Sequence, residues 1–311
     1  MLRATLPVSM PILIDGNAFA HRWYHRWAHM VKLTKPGAPP PRAESFASNN
    51  ARALMALAQS MHETDLVNGE TKLSLQTYSS LLEWPNRVAV FFDFGDGGRT
   101  KVYPDYKKER RARPRDPLLE IFFDQPKSLY RGQPNNSCVV VPDLHHPRID
   151  ELDAEADDMI ATVSIELRKR GIPHAILSHD IDLMHLVHDD APRVMQYDPR
   201  TKLMLDEASV TERVGVPPSL IVDFKSLGGD RGDGIPGVSG IGPTRAKSLL
   251  KKYGNLDAVM FRGPEEEKGK KLKQYIAGGR DAAMLSKSLV MHRPVDDIIL
   301  PIVFSTFGIS K

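Results

Sequence analysis

Pro11-Ile12-Leu13-Ile14-Asp15-Gly16 is a short apolar run that ends in an acid and a glycine. A run so brief, with no polar alternation, reads as a strand buried on both faces, and Asp-Gly as the turn that leaves it. The same device recurs along the chain. Val88-Ala-Val-Phe-Phe92 ends in Asp93, and Ala175-Ile-Leu177 leads to Asp180. Cys138 to Val141, Val194 to Tyr197 and Leu203 to Leu205 read as further strands. Helical patterns separate them over Ala43 to Met61, Ala154 to Arg170 and Asp182 to His188. Strands alternating with helices predict an α/β fold, a mostly parallel central sheet flanked by helices, with functional residues at the strand ends.

From about Thr211 the texture changes to short helices, a glycine-rich turn and a polar stretch from Arg262 to Lys273, so this part is expected to be all-helical. The apolar segment Ile298 to Phe304 is expected to return and pack on the sheet. Residues 34–42, with four prolines, read as a loop, and residues 62–80 are polar and carry no clear pattern. The single cysteine, Cys138, excludes an internal disulfide and a cysteine-rich zinc site; in its apolar run it reads as a strand residue, not a nucleophile. No run approaches the roughly 18 apolar residues of a membrane span, and no signal-like segment precedes Asp15, so a cytoplasmic protein is expected.

The turns at the strand ends gather acids. Asp15; Asp93; Glu155, Asp157 and Asp158; Asp180 and Asp182; and Asp230 with Asp233 form five clusters. Singly each has a structural explanation: a turn former, a helix cap, or acids stabilised in a first helical turn by the macrodipole. Together they require cations. Dense oxygen ligands suit Mg²⁺ or Mn²⁺, and two such ions about 4 Å apart cleave phosphodiesters. The 311-residue chain has 42 basic and 39 acidic residues. Taking the nine clustered acids away leaves 30 acids against those 42 bases, an acidic site within a basic surface that fits an anionic polymer.

The order of the motifs resembles the 5′-nuclease superfamily, which includes the 5′→3′ exonuclease domain of bacterial DNA polymerase I, phage 5′-exonucleases and flap endonucleases. The blocks that carry it are Ile14-Asp-Gly-Asn17, Phe92-Asp93, Glu155-Ala-Asp-Asp158, Ser178-His-Asp-Ile-Asp182 and Gly229-Asp-Arg-Gly-Asp-Gly-Ile-Pro-Gly-Val-Ser-Gly-Ile-Gly242, over roughly residues 11–295. The resemblance implies a PIN-like sheet domain over residues 1–205, with an arch region at about 100–148, and a helical subdomain over 206–311 carrying a helix–hairpin–helix. It also implies two metal groups. Asp15, Asp93, Glu155 and Asp157 would hold one Mg²⁺ or Mn²⁺, with Asp158, Asp180, Asp182, Asp230 and Asp233 around the second, some through water.

Gly237-Val-Ser-Gly-Ile-Gly242 followed by Pro243 reads as a tight hairpin entering a helix, whose exposed N–H groups bind phosphate. Gly237, Ser239, Gly240, Gly242, Arg245 and Lys247 are the expected DNA contacts there, and similar elements hold a K⁺ on backbone oxygens, here around Val238 and Ser239. Lys101 to Arg115 is a basic run; Tyr106-Lys107-x-x-Arg110 is similar to a motif of the superfamily. It implies that Tyr106 stacks on a base while Lys107 and Arg110 offset charge on the scissile phosphate. Arg22 would contact phosphate as well. A zinc site through His21, His25 and His29 lacks a fourth ligand. The chain departs from the superfamily at Gly232-Asp233-Gly234, where Ser-Asp-Asn is usual, and in an arch region rich in proline with no clear long helix.

The expected activity is a stand-alone, monomeric 5′ nuclease acting on DNA with 5′ ends, flaps or junctions, and on RNA–DNA hybrids in primer removal. The rivals are a catalytically degenerate junction binder, which would have lost metal acids, and a PIN-type ribonuclease, which would not need the hairpin grip.

Overall fold

The computed structural model describes residues 10–35, 37–60, 87–114, 116–131, 138–141 and 147–309. Residues 62–80 and parts of the expected arch therefore lie outside the described residues. Among the described residues six strands form one sheet: β1 (Pro11–Asp15), β2 (Arg87–Phe91), β3 (Cys138–Val141), β4 (His174–Leu177), β5 (Val194–Asp198) and β6 (Leu203–Leu205). Their order is β3-β2-β1-β4-β5-β6, parallel throughout except for β6 against β5. The chain order reverses on either side of β1, so the carboxyl ends of β1, β2 and β4 border one crevice, where α/β sheets place their sites.

Period-two alternation distributes the apolar residues. Ile12, Ile14, Val88 and Val90 face a core with Phe19, Trp23, Ala47, Leu54, Phe122 and Phe123. Leu13, Ala89 and Phe91 face the other side, against Ile160, Val163 and Leu167 of the Ala156–Lys169 helix. The segment expected to return to the sheet does so, as the Asp296–Phe307 helix, which buries Ile299, Val303 and Phe307 in that second core. A third core, with Leu227, Val238, Ile241, Leu249, Leu250 and Val259, holds the C-terminal helices and reaches back to Met184, Val187 and Leu205.

Two expectations about elements are corrected. The Asp182 segment is a short 3-10 helix, Asp182–Leu186, not an α-helix to His188. Within the arch region, Leu118–Arg131 is a 14-residue helix. Its Leu119, Phe122, Phe123, Pro126 and Tyr130 are buried at helical spacing against the Gly16–Leu33 and Ala43–Ser60 helices. That part of the arch is core, and the internal Pro126 is what obscures the pattern in the sequence.

Candidate active site

Each acid is placed by a local device. Asp15 ends β1 and caps the Gly16–Leu33 helix, accepting from Ala18 N at 2.9 Å, while Ser178 Oγ donates to its other oxygen at 2.7 Å. Beyond β2, Phe94 and Ala154 exchange two backbone hydrogen bonds of 2.9 Å, which brings Glu155 beside Asp93. Ala156 N then donates to Asp93 Oδ1 at 2.8 Å, and Asn17 Oδ1 receives the Asp93 N–H at 3.3 Å. Past β4, Gln196 Nε2 holds the backbone oxygens of Ser178 and Asp180 at 3.0 and 2.8 Å, and Asp182 N donates to Asp180 Oδ1.

Burial and mutual repulsion work against ionisation of the first group. Desolvation pushes the Asp15 carboxyl up to about 8, with Asp180 and Asp157 adding to it. Asp93 is exposed as a residue, yet desolvation by the surrounding protein raises it to about 6, with Asp157 again contributing. Burial raises Glu155 to about 7 even though Lys107 opposes the shift. Asp157 thus adds repulsion to all three. A donor set that resists ionisation for want of a positive charge fits a divalent cation.

These shifts set a pH dependence. The unfolded carboxylates lose their protons near pH 4, whereas folded Asp15 and Glu155 retain theirs to about 8 and 7. The folded state therefore binds more protons, and stability falls as pH rises. Buried His174 and His185, depressed to about 4 and 3, act in the opposite sense, but only below their unfolded value of about 6.5. The Tm of protein in EDTA should fall between about pH 6.5 and about pH 8.5, and Mn²⁺ should remove most of that slope. A flat Tm in EDTA across that window would contradict the assignment.

The second group converges more tightly. One ligand atom each from Asp182, Asp230 and Asp233 lies within 4.8 Å of the others, the one such triad of His, Cys, Asp or Glu among the described residues. Asp230 and Asp233 occupy a turn closed by the reciprocal Asp230–Ile235 backbone pair, and Asp230 Oδ1 accepts from Gly232 N at 2.8 Å. Asp233 Oδ1 is buried without a hydrogen-bond donor; Arg110 Nη1 lies 3.0 Å away but out of line. A buried carboxylate oxygen that has an ion-pair neighbour but no hydrogen bond, within such a triad, is free to accept a metal ion. Burial raises Asp233, whereas Asp230 stays below its usual range because Lys225 outweighs burial.

The basic motif packs directly onto this turn. Lys107 N donates to Asp233 O at 2.8 Å, and a Cβ on Gly234 would lie 2.7 Å from Asp105 O. Gly234, at φ +70°, therefore allows the approach, which accounts for glycine where asparagine is usual. Lys107 Nζ meets Glu155 Oε1 at 2.6 Å; burial opposes its charge, but Glu155 and Asp233 keep it protonated. Arg110 remains exposed at the rim.

Several expected roles are corrected. Tyr106 is 2% exposed and donates to Glu155 Oε2 at 2.8 Å, so its ring has no face for a base; it orients a carboxylate instead. Gly237 is buried, gives its N–H to Ser286 Oγ, and would place a Cβ 2.3 Å from Gly229 N, so it serves packing rather than contact with DNA. Asp158 is fully buried, and both its oxygens are taken: Arg99 donates to each at 2.7 Å, Arg293 N to one and Glu155 N to the other. It stands as the anchor of a strut, since Arg99 also binds the carbonyls of Leu289 and Met291. Arg99→Leu would leave that carboxylate buried and unpaired, and should cost roughly 3 kcal/mol in urea unfolding.

At the other expected contacts, Ser239, Gly240 and Gly242 are exposed on the loop leading into the Pro243–Tyr253 helix, Arg245 is exposed in that helix's first turn, and Lys247 is half-buried over the Phe224 ring. Arg22 is half-buried on the Gly16–Leu33 helix. His21 packs its edge on Phe123, and Trp27 Nε1 donates to Pro41 O. The sequence reading missed Ser178, Gln196, Arg99 and Lys225. Lys225 had a signal, a lone cation inside the apolar stretch Ile221 to Leu227 just ahead of the glycine turn.

Strand-end carboxylates, rimmed by lysine and arginine at one end of a mostly parallel sheet, form a cluster of oxygen donors that suits divalent cations. Residues 10–215 match the family model described as "5′-3′ exonuclease, N-terminal resolvase-like domain", and residues 216–304 match "5′-3′ exonuclease, C-terminal SAM fold". The chain belongs to the 5′-3′ exonuclease family. It is 30% identical over 282 residues to a DNA polymerase I from Rhizobium leguminosarum, covering 90% of this chain but 24% of that protein. It is 33% identical over 207 residues to flap endonuclease Xni from Shewanella sp. (strain W3-18-1), covering 66% of this chain and 71% of the relative. The fold is that of the T5 D15 protein co-crystallised with metal ions, with a TM-score of 0.66 at 20% identity, over 97% of this chain and 99% of the other. No helix among the described residues is long and apolar enough to cross a membrane.

Proposed function

We propose that this chain is a divalent-metal-dependent 5′ nuclease that hydrolyses phosphodiester bonds of DNA at 5′ ends, flaps and junctions, and of RNA in RNA–DNA hybrids. The observation that carries it is the meeting of Asp182, Asp230 and Asp233 within 4.8 Å beside the Lys107 segment, at one end of a sheet that also presents Asp15, Asp93 and Glu155. Asp15, Asp93, Glu155 and Asp157 would hold one Mg²⁺ or Mn²⁺, and Asp180, Asp182, Asp230 and Asp233 a second. Bound there, the ions supply Lewis acidity, lowering the pKa of the attacking water and neutralising charge on the phosphoryl oxygens.

The chain's own residues do the rest. Arg110 meets the phosphate at the rim, and Lys107 exchanges part of its bond to Glu155 for a non-bridging oxygen as charge builds there. Tyr106 keeps Glu155 oriented during that exchange. The Ile221–Gly228 and Pro243–Tyr253 helices, with the loop between them, act as a helix–hairpin–helix that holds duplex through the N–H groups of Gly240 and Gly242 and the charges of Arg245 and Lys247. Arg22 contacts phosphate on the opposite flank. A K⁺ near Val238 and Ser239 belongs to the same reading, as does action by a monomer in the cytoplasm.

Incubation with a 5′-flap duplex, in Mg²⁺ or in EDTA, tests the proposal. Metal-dependent release of short 5′ products is expected. A protein that binds the flap but yields no product in Mg²⁺ or Mn²⁺ would be a junction binder, and one that cuts only single-stranded RNA a PIN-type ribonuclease.

A further inference from the structure

Lys225 lies on the Ile221–Gly228 helix, five residues before Asp230, and its side chain is 11% exposed. Its Nζ donates to Asp230 Oδ2 at 2.7 Å and to Asp182 Oδ1. These are two of the three carboxylates whose ligand atoms converge at the second metal position. The lysine is fixed from behind as well, since its carbonyl accepts the Gly229 N–H at 2.8 Å where the helix gives way to the acidic turn. The triad thus contains a cation of its own, covalently attached and buried.

We propose that Lys225 is an internal counter-ion of the second metal position, which keeps the carboxylates assembled in metal-free protein and competes with the divalent ion for the same oxygens. The inference rests on the reading that Asp182, Asp230 and Asp233 hold an ion. An ammonium and a divalent ion within reach of the same two carboxylates repel each other, and both need the same lone pairs. Loading the ion therefore requires Nζ to withdraw from Asp182 or Asp230, and that cost appears as weakened metal affinity. By linkage the ion loosens the lysine to the same extent. The arrangement gives the two metal positions unequal affinities: the second is harder to fill in free protein, although its acids are already gathered.

Mn²⁺ binding to the full chain without DNA, followed by electron paramagnetic resonance and calorimetry, tests this in wild type, Lys225→Met and Lys225→Arg. Lys225→Met should bind the weaker Mn²⁺ about tenfold more tightly than wild type. In EDTA its Tm should fall, and Mn²⁺ should raise that Tm by more than it does in wild type. Lys225→Arg, which retains the charge, should keep wild-type affinity and stability and so guards against a methionine variant that fails to fold. Unchanged or weaker Mn²⁺ binding in Lys225→Met, or tightening in Lys225→Arg, would overturn the lysine's role. Asp230→Asn separates the two levels: if wild type and Asp230→Asn bind the same number of Mn²⁺ ions with the same affinities, the metal reading itself falls. If Asp230→Asn loses the weaker ion while Lys225→Met leaves its affinity unaltered, only the counter-ion proposal does.

Discussion

Asp230→Asn should lower single-turnover cleavage of a 5′-flap duplex by about a thousandfold or more, with the fold retained by circular dichroism. The substitution keeps the shape and one oxygen but removes a charge from the triad in which Asp230, Asp182 and Asp233 meet. It also withdraws one of the two carboxylates that Lys225 binds, so the ammonium is left crowding a position short of negative charge. Both effects weaken a cation there. Because Asp230 Oδ1 also accepts from Gly232 N, asparagine is preferable to alanine: its amide oxygen preserves the turn. Cleavage within about threefold of wild type at saturating Mg²⁺ would remove Asp230 from the catalytic machinery.

Lys107→Met should slow the single-turnover rate by about a hundredfold while changing the Kd for duplex by no more than about threefold. The lysine is not a loose surface charge. Its backbone is held in the left-handed region at φ 50° by the bond from its N–H to Asp233 O, and its Nζ is held 2.6 Å from Glu155. A cation placed so firmly between two acidic groups is arranged for charge that appears during reaction, not for capture of a polymer from solution. The opposite pattern, weakened binding with an unaltered rate at saturating protein, would make Lys107 a phosphate clamp.

The strands were legible because each is a continuous apolar run bounded by a turn acid, and all six lie where the pattern predicts. The acids were legible by type and position, since the parallel sheet brings the ends of its central strands together. The pairing between them was not. Arg99 and Asp158 are 59 residues apart, and nothing local shows that a carboxylate in a first helical turn is already satisfied by a distant guanidinium. Tyr106 was read from the basic run around it, whereas its burial comes from Ile235 and Leu289, which belong to other parts of the chain. Gly237 shows the same limit: a glycine motif looks alike whether its N–H faces a ligand or Ser286.

The Asp296–Phe307 helix, returning to cover the sheet, has a consequence for how the chain can be divided. The family regions meet near residue 215, but the cohesion of the molecule does not part there. Ile299, Val303 and Phe304, at the end of the second region, and Phe307 just beyond it line the first region's second face. A fragment stopped at the junction would go without that cover, and the remaining fragment would carry an oily helix with nothing to cover. The twelve residues of the Asp296–Phe307 helix act as a clasp, fastening the half with the hairpin loop to the half with the sheet.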